Sequence, residues 1–367
     1  MMKKNRVSWD IFCRVVDNFG DIGVCWRLSK QLANEHKLNV RLWVDDLQVA
    51  SKIIQNLDTS LHAQTIDSVT IYRWEESASA FDEVRPAEVV IETFACNLPA
   101  AYLKAMTLNK PIWINLEYLS AEAWINDCHG QPSTHPQTGL KKTFFFPGFN
   151  NKTGGLIREQ NLSKTRDAAI AMMKKLPSLQ VSLFCYPDAP IKDLLNTMSQ
   201  GNAPVECFVP MDSYQHEIAA FFGSNAINIG DTLNQGQLKL TLLPFLTQAE
   251  YDQLLWCCDL NFVRGEDSWI RALWASKPFI WQPYRQADDL HLEKLEAFLK
   301  IYLQDNPSQI LAEFSRAWSE DGITLSLWNR LIAEINELNT WTTQRSQHFE
   351  SQTDLASTLV IFTENGV

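Results

Sequence analysis

An apolar run, Val7 to Phe12, passes into a short loop holding Asp17, Gly20, Asp21 and Gly23, and a helix-compatible pattern, Val24-Cys25-Trp26-Arg27-Leu28, follows at once. Strand, tight glycine-containing turn and helix in immediate succession is the unit that places ligands at the carboxyl edge of a parallel sheet. Two carboxylates four residues apart in such a loop invite a catalytic reading, and either one can instead cap the helix.

The alternation continues. Strands are expected at Val7–Cys13, Val40–Val44, Val69–Trp74, Val89–Phe94 and Pro111–Asn115, with helices near Ile22–Glu35, Leu47–Asn56 and Ala100–Leu108. Short apolar strands separated by amphipathic helices predict a doubly wound α/β sheet. Residues 126–162 break the pattern as a long irregular excursion rich in Gly, Pro and aromatics, and the density of Phe144, Phe145, Phe146 and Phe149 favours an ordered one. After a helix expected over Ser163–Lys175, strands at Gln180–Tyr186, Cys207–Pro210, Leu238–Leu243, Leu260–Val263 and Pro278–Trp281 form a second series, and beyond Asp288 the chain reads as helical. Two βα domains with the ligand between them are therefore expected in 367 residues.

A formal charge of −11 argues against a nucleic-acid backbone as partner and suits a basic or arginine-bearing one. Eight cysteines without a CxxC pair read as thiols of a reducing, cytoplasmic compartment. The basic start does not lead into a signal sequence, because Asp10 and Arg14 interrupt the apolar run, and no stretch reaches the roughly 20 apolar residues of a membrane span.

A second informative stretch is Asp259-Leu-Asn-Phe-Val-Arg-Gly-Glu-Asp-Ser-Trp-Ile-Arg-Ala-Leu-Trp. It reads as a buried strand, an Arg264-Gly265 turn, and a helix Trp269–Ala275 with Asp267 or Ser268 as N-cap. Free N–H groups at such a helix start attract phosphate, and Arg264 can assist. Glu266 and Asp267 would repel it unless they serve sugar hydroxyls, which carboxylates accept hydrogen bonds from. A capping cluster without a ligand is the competing reading. A third stretch, Lys277-Pro-Phe-Ile-Trp-Gln, ends a strand in a Pro-interrupted turn, with Asp288 or Asp289 expected to cap the next helix.

The pattern Trp-Asp-Ile-Phe-Cys-Arg-Val-Val-Asp-Asn-Phe-Gly-Asp-Ile-Gly-Val-Cys-Trp-Arg-Leu, with Phe-Val-Arg-Gly-Glu-Asp-Ser and Lys-Pro-Phe-Ile-Trp-Gln, resembles the bacterial protein-arginine rhamnosyltransferases that modify translation elongation factor P. The resemblance spans nearly the whole chain. It implies a GT-B fold, two Rossmann-like domains facing a cleft, with boundaries expected at 1–162 (acceptor protein), 163–178 (linker helix), 179–348 (nucleotide-sugar) and 349–367 (a helix crossing back onto the first domain). It also implies dTDP-β-L-rhamnose as donor, inversion at the anomeric carbon, and neither metal nor cofactor. Asp17 and Asp21 match the family's loop aspartates, with Asp21 favoured as general base or guanidinium activator, in the loop of Asn18, Phe19, Gly20 and Gly23. Glu266 matches the acidic residue that positions the donor, with Arg264, Asp267 and Ser268 at the sugar-diphosphate. Phe184, Tyr186, Phe245, Gln248 and Tyr251 look like the nucleotide pocket. The turn Gln282-Pro-Tyr-Arg-Gln286 departs from the Ile-Tyr-Pro-Gln type of relatives.

The chemistry agrees. A guanidinium is a poor nucleophile because it stays protonated, with a pKa above about 12. Paired carboxylates bind its planar fork, and one can take a proton as the N–C bond forms. Other features are read blandly: Asp45-Asp46 as a helix cap, His129 and His135 as polar loop residues, Thr153-Gly154-Gly155 as a turn. Two alternatives stand beside the leading one: the same fold with a glycolipid or small-molecule acceptor, and a non-catalytic partner of a translation factor.

Overall fold

The structure, a computed structural model, describes residues 7–16, 19–75, 81, 84–173, 176–210, 214–306, 308–320 and 322–365. The chain divides into two compact units, Met1–Gln160 with Gln352–Val367, and Asn161–Ser351.

The first unit runs β1 (Ser8–Cys13), α1 (Gly20–Asn34), β2 (Asn39–Val44), α2 (Leu47–Ile53), β3 (Ala63–Ile66), β4 (Val69–Arg73), β5 (Val89–Thr93), α3 (Ala100–Asn109), β6 (Ile112–Leu116), α4 (Ile125–Cys128), β7 (Pro132–Thr134) and β8 (Lys141–Phe145). Among the described residues these strands form one sheet in the order β3-β4-β2-β1-β5-β6-β8-β7. Its interior pairs are parallel, and antiparallel hairpins β3/β4 and β7/β8 close its two edges. The apolar run of β1 is buried because it is the central strand, with β2 on one side and β5 on the other. Its one carboxylate, Asp10, is fully buried and satisfied by Arg41 (2.5 and 2.6 Å), the Trp43 indole (3.0 Å), the Ala87 N–H (3.0 Å) and the Tyr102 hydroxyl. An aromatic core, Phe12, Trp43, Trp74, Phe81 and Tyr102, packs beside it.

The excursion expected over 126–162 is more regular than its composition suggests. It contains α4, β7 and β8, and β8 pairs in parallel with β6. His129 accepts the Phe146 N–H (3.0 Å) and His135 bonds Thr138, so both serve the loop itself. Gly154 and Gly155 are packing positions: a Cβ on Gly154 would fall on the Phe145 ring, and one on Gly155 (φ +77°) on the Thr353 carbonyl.

The second unit runs α5 (Leu162–Met172), β9 (Leu179–Leu183), α6 (Ile191–Gln200), β10 (Val205–Pro210), α7 (Gln215–Phe221), β11 (Thr232–Gln235), β12 (Leu238–Leu243), α8 (Gln248–Cys257), β13 (Leu260–Arg264), α9 (Asp267–Ala275), β14 (Phe279–Gln282), α10 (Leu290–Tyr302), α11 (Ile310–Ser319), α12 (Leu325–Ala333) and α13 (Ile335–Glu350). Its described strands are ordered β11-β12-β10-β9-β13-β14, parallel but for the β11/β12 hairpin. A core from Val181 and Leu183 to Trp318 and Trp328 joins this sheet to α11 and α12.

Two expected boundaries shift. The segment read as a linker belongs to the second unit, where α5 packs on α8 and α9; Lys174 and Lys175 lie outside the described residues. The last helix of the first unit, α14 (Leu355–Glu364), starts later than residue 349, which is still in α13. Asp354 caps α14 through Ser357, accepts the Gln31 side-chain amide of α1 (2.9 Å), and so anchors α14 on the first unit. Among the described residues no helix is long and apolar enough to cross a membrane.

Candidate active site

Each sheet has one topological switch point, where strand order reverses and the loops after two neighbouring strands diverge to leave a crevice. In the first unit it lies between β1 and β5; in the second, between β9 and β13.

At the first switch point, the loop after β1 enters α1 with Phe19 in the cap position (φ −97°) and Gly20 as the first helical residue. Phe19 offers no side-chain cap; its carbonyl accepts the Gly23 N–H at 2.9 Å. Asp21 sits in the first turn, 2% exposed. Its Oδ2 accepts the Val16 N–H (2.8 Å) and its Oδ1 the Tyr118 hydroxyl (3.4 Å). The carboxylate is therefore held by the loop before the helix and by the segment after β6, and the α1 macrodipole favours its negative charge there. The capping role open to it in the sequence is not the one it has. Asp17 and Asn18 lie outside the described residues. Asp45 accepts the Val15 N–H (2.9 Å), and Asp46 caps α2 through Gln48 and Val49, as its spacing predicted.

Three further groups stand at the ends of β5 and β6. Phe94 and Tyr118 stack at 4.3 Å with 10° between their planes, and Tyr118 is 43% exposed. Glu117 is half-buried against Asn115; burial pushes its carboxyl up, and the Lys142 ammonium opposes that shift. Nothing in their local sequence marks these residues. The available signal was positional, since Asn115-Leu-Glu-Tyr ends a strand on the same carboxyl edge as the Asp21 loop.

At the second switch point, β13 ends at Arg264. Gly265 (φ +62°) turns the chain, and its carbonyl accepts the Trp281 indole N–H at 3.0 Å. Helix α9 begins at Asp267 with Glu266 in the cap position and no side-chain cap bond. This corrects the expectation that Asp267 or Ser268 caps it. Ser268 instead reaches back, accepting the Arg264 N–H (3.2 Å) and donating to the Arg264 carbonyl, which clamps the turn. The side chain of Glu266 is thus not used as the helix cap, and the α9 N-terminus stands at this strand edge, where its dipole favours an anion.

The Arg264 guanidinium lies over Phe184 (4.4 Å) and Tyr186 (4.7 Å) and donates to the Cys185 carbonyl (3.1 Å). Phe184 also meets Tyr251 edge-on, and Tyr186 meets Tyr284. Burial pushes the Tyr251 phenol up, so it stays neutral. Gln248, 8% exposed, donates to Asp267 (3.4 Å). Phe245 is 40% exposed on the segment before α8. The Gln282 side chain accepts the Tyr186 N–H (2.7 Å) and donates to Asp188 (3.1 Å), tying the β9 and β14 loops together. Asp289 takes the cap position of α10 with φ +56° but makes no side-chain cap bond, against expectation. Beneath the site, the buried pair Arg271–Asp252 (2.9 and 2.7 Å) locks α9 to α8. The structure thus gathers Phe184, Tyr186, Gln248, Tyr251, Arg264, Asp267 and Ser268 around one strand edge.

Two Rossmann-like units, each with a polar site at its own switch point, are the fold of the GT-B glycosyltransferases. Solved structures of this fold include Acinetobacter baumannii MurG (TM-score 0.54, 12% identity, covering 98% of this chain and 99% of that one) and the spinosyn rhamnosyltransferase SpnG (TM-score 0.55, 11% identity, 97% and 100%). The chain belongs to the elongation factor P rhamnosyltransferase family: the family model described as "Elongation-Factor P (EF-P) rhamnosyltransferase EarP" matches residues 9–364. It is similar to the protein-arginine rhamnosyltransferases of Pseudomonas putida (41% identity over 380 residues, 99% of this chain and 100% of that protein) and Pseudomonas aeruginosa (40% over 376 residues, 97% and 98%). A solved structure described as "Structural basis for EarP-mediated arginine glycosylation of translation elongation factor EF-P" aligns with TM-score 0.67 and 30% identity over 99% of this chain and 100% of that one.

Proposed function

We propose that this enzyme transfers L-rhamnose from dTDP-β-L-rhamnose to an arginine side chain of elongation factor P, with inversion at the anomeric carbon. The observation that carries the reading is Asp21: a buried carboxylate at a sheet switch point, fixed by Val16 and Tyr118 rather than spent on capping its helix. We assign the acceptor to the first unit and the nucleotide-sugar to the second.

In this reading a guanidinium nitrogen attacks the anomeric carbon from the face opposite the nucleotide. The new N–C bond forms as the bond from that carbon to the diphosphate oxygen breaks, and the electron pair leaves with dTDP. The nitrogen's proton passes to Asp21 or to Asp17. Before transfer, the carboxylates hold the guanidinium fork through charge-assisted hydrogen bonds and localise its charge. The departing diphosphate is stabilised by the α9 N-terminus and Arg264, which would exchange its stacked position over Phe184 and Tyr186 for the phosphates as a thymine base takes up the rings. Glu266 orients the sugar through its hydroxyls. The reading assigns the reaction no metal or cofactor, and it places the enzyme in the cytoplasm, where eight free thiols are at home.

The test is release of dTDP from dTDP-rhamnose with elongation factor P present or withheld. Release that requires the acceptor protein supports the reading. Release that occurs only with a glycolipid or small-molecule acceptor, or no release at all, overturns it.

A further inference from the structure

We propose that the Tyr118 ring, backed by Phe94, is the platform on which the acceptor guanidinium is laid, and that the Tyr118 hydroxyl holds Asp21 in line with it. This assignment rests on the rhamnosyl-transfer reading above and adds a positioning residue to its acceptor side.

Four observations converge on Tyr118. Phe94 covers one face of its ring at 4.3 Å, while 43% of the residue remains exposed. Its hydroxyl lies 3.4 Å from Asp21 Oδ1, so a planar cation resting on the ring sits beside that carboxylate. Phe94 and Ala95 both adopt left-handed backbone, at φ +54° and +51°, which side chains other than glycine rarely take up. The conformation is held because the Phe94 N–H donates to the Leu116 carbonyl (2.7 Å) and the Cys96 N–H to that of Thr93 (3.1 Å). Strained backbone of this kind persists where the surroundings over-determine it, commonly at functional sites, and here it sets the ring that supports Tyr118.

The same chain already shows the geometry in its second unit, where the Arg264 guanidinium rests on Phe184 and Tyr186 at 4.4 and 4.7 Å. A stacked ring with a carboxylate at its edge also discriminates. Guanidinium is flat and carries five N–H donors in its plane, so it can stack and donate sideways at once. A lysine ammonium, a compact point charge, cannot satisfy both surfaces together. The platform therefore selects arginine over lysine at the modified position.

The experiment compares wild type, Tyr118→Phe and Tyr118→Ala on elongation factor P with dTDP-rhamnose, reading kcat and the KM for each substrate. Tyr118→Ala is expected to raise the acceptor KM about tenfold, the size of a partly desolvated cation–π contact, with the donor KM unchanged. Tyr118→Phe keeps the ring and should hold the acceptor KM within about twofold of wild type. Because it removes a bond that positions Asp21, its loss should appear in kcat, with the acceptor KM held. An acceptor KM unchanged in Tyr118→Ala, an equal rise in both variants, or an unchanged kcat in Tyr118→Phe overturns the assignment. Failure of the wild-type enzyme to modify elongation factor P would overturn the rhamnosyl-transfer reading instead, so the two failures are distinguishable.

Discussion

Replacing Asp21 by Asn separates catalysis from structure, because the two roles differ in size. The structural cost can be worked from its contacts. An amide keeps one oxygen acceptor for the Val16 N–H or the Tyr118 hydroxyl, but turns an N–H₂ toward the other donor, losing one hydrogen bond at about 1 kcal/mol. Removing the negative charge from the first turn of α1 adds about 0.3–1 kcal/mol. The sum, about 1–2 kcal/mol, corresponds to a fall of roughly 2–8 °C in the melting of a unit of this size. Loss of a positioned general base costs far more in rate, about 10²–10⁴-fold. Initial rates of transfer, a thermal melt and a titration with dTDP together decide the matter. The expected result is a rate lower by at least about a hundredfold, a modest fall in melting temperature, and dTDP affinity unchanged, since the nucleotide is assigned to the other unit. A rate loss under about tenfold refutes the base-or-activator role of Asp21. A large melting shift that accounts for the lost rate refutes it as well.

Three other outcomes are expected. Glu266→Ala should cut kcat/KM by about 10²–10³-fold with little change in melting, since Glu266 makes no side-chain cap bond to α9; a stability collapse would point to a purely structural role. Arg271→Ala leaves Asp252 buried without its partner at a cost of about 3–5 kcal/mol, and Asp252→Leu with Arg271→Met should recover most of it in thermal melts. Gly155→Ala forces a Cβ onto the Thr353 carbonyl at φ +77° and should cost about 2–4 kcal/mol, read as lower melting with dTDP affinity unchanged; wild-type melting would contradict that packing role.

The parts of this fold legible in the sequence are those written in apolar periodicity. The run from Val7 to Phe12 followed by Gly20 and Gly23 announces the β1–α1 unit, and Leu260–Val263 followed by Arg264-Gly265 announces its counterpart. Strands at and next to the sheet edges are quieter. β3 is four residues long and half exposed, and β8 opens on Lys141-Lys142-Thr143, so neither carries the apolar signature of an interior strand. Asp267 and Ser268 look like caps for α9 because both are good capping residues, but the left-handed Gly265 brings the helix in earlier, so Ser268 clamps the turn and Asp267 meets Gln248. Tyr118 was invisible for a different reason. Its bond to Asp21 spans 97 residues, and no local pattern encodes a contact of that range.

The central claim is rhamnosylation of an arginine, and mass spectrometry tests it most directly. Elongation factor P incubated with the enzyme and dTDP-β-L-rhamnose is measured intact and then fragmented to locate the modification. The account predicts a single deoxyhexose on one arginine side chain, with the anomeric configuration opposite to that of the donor. An unmodified acceptor, or a sugar on any residue other than arginine, would contradict it.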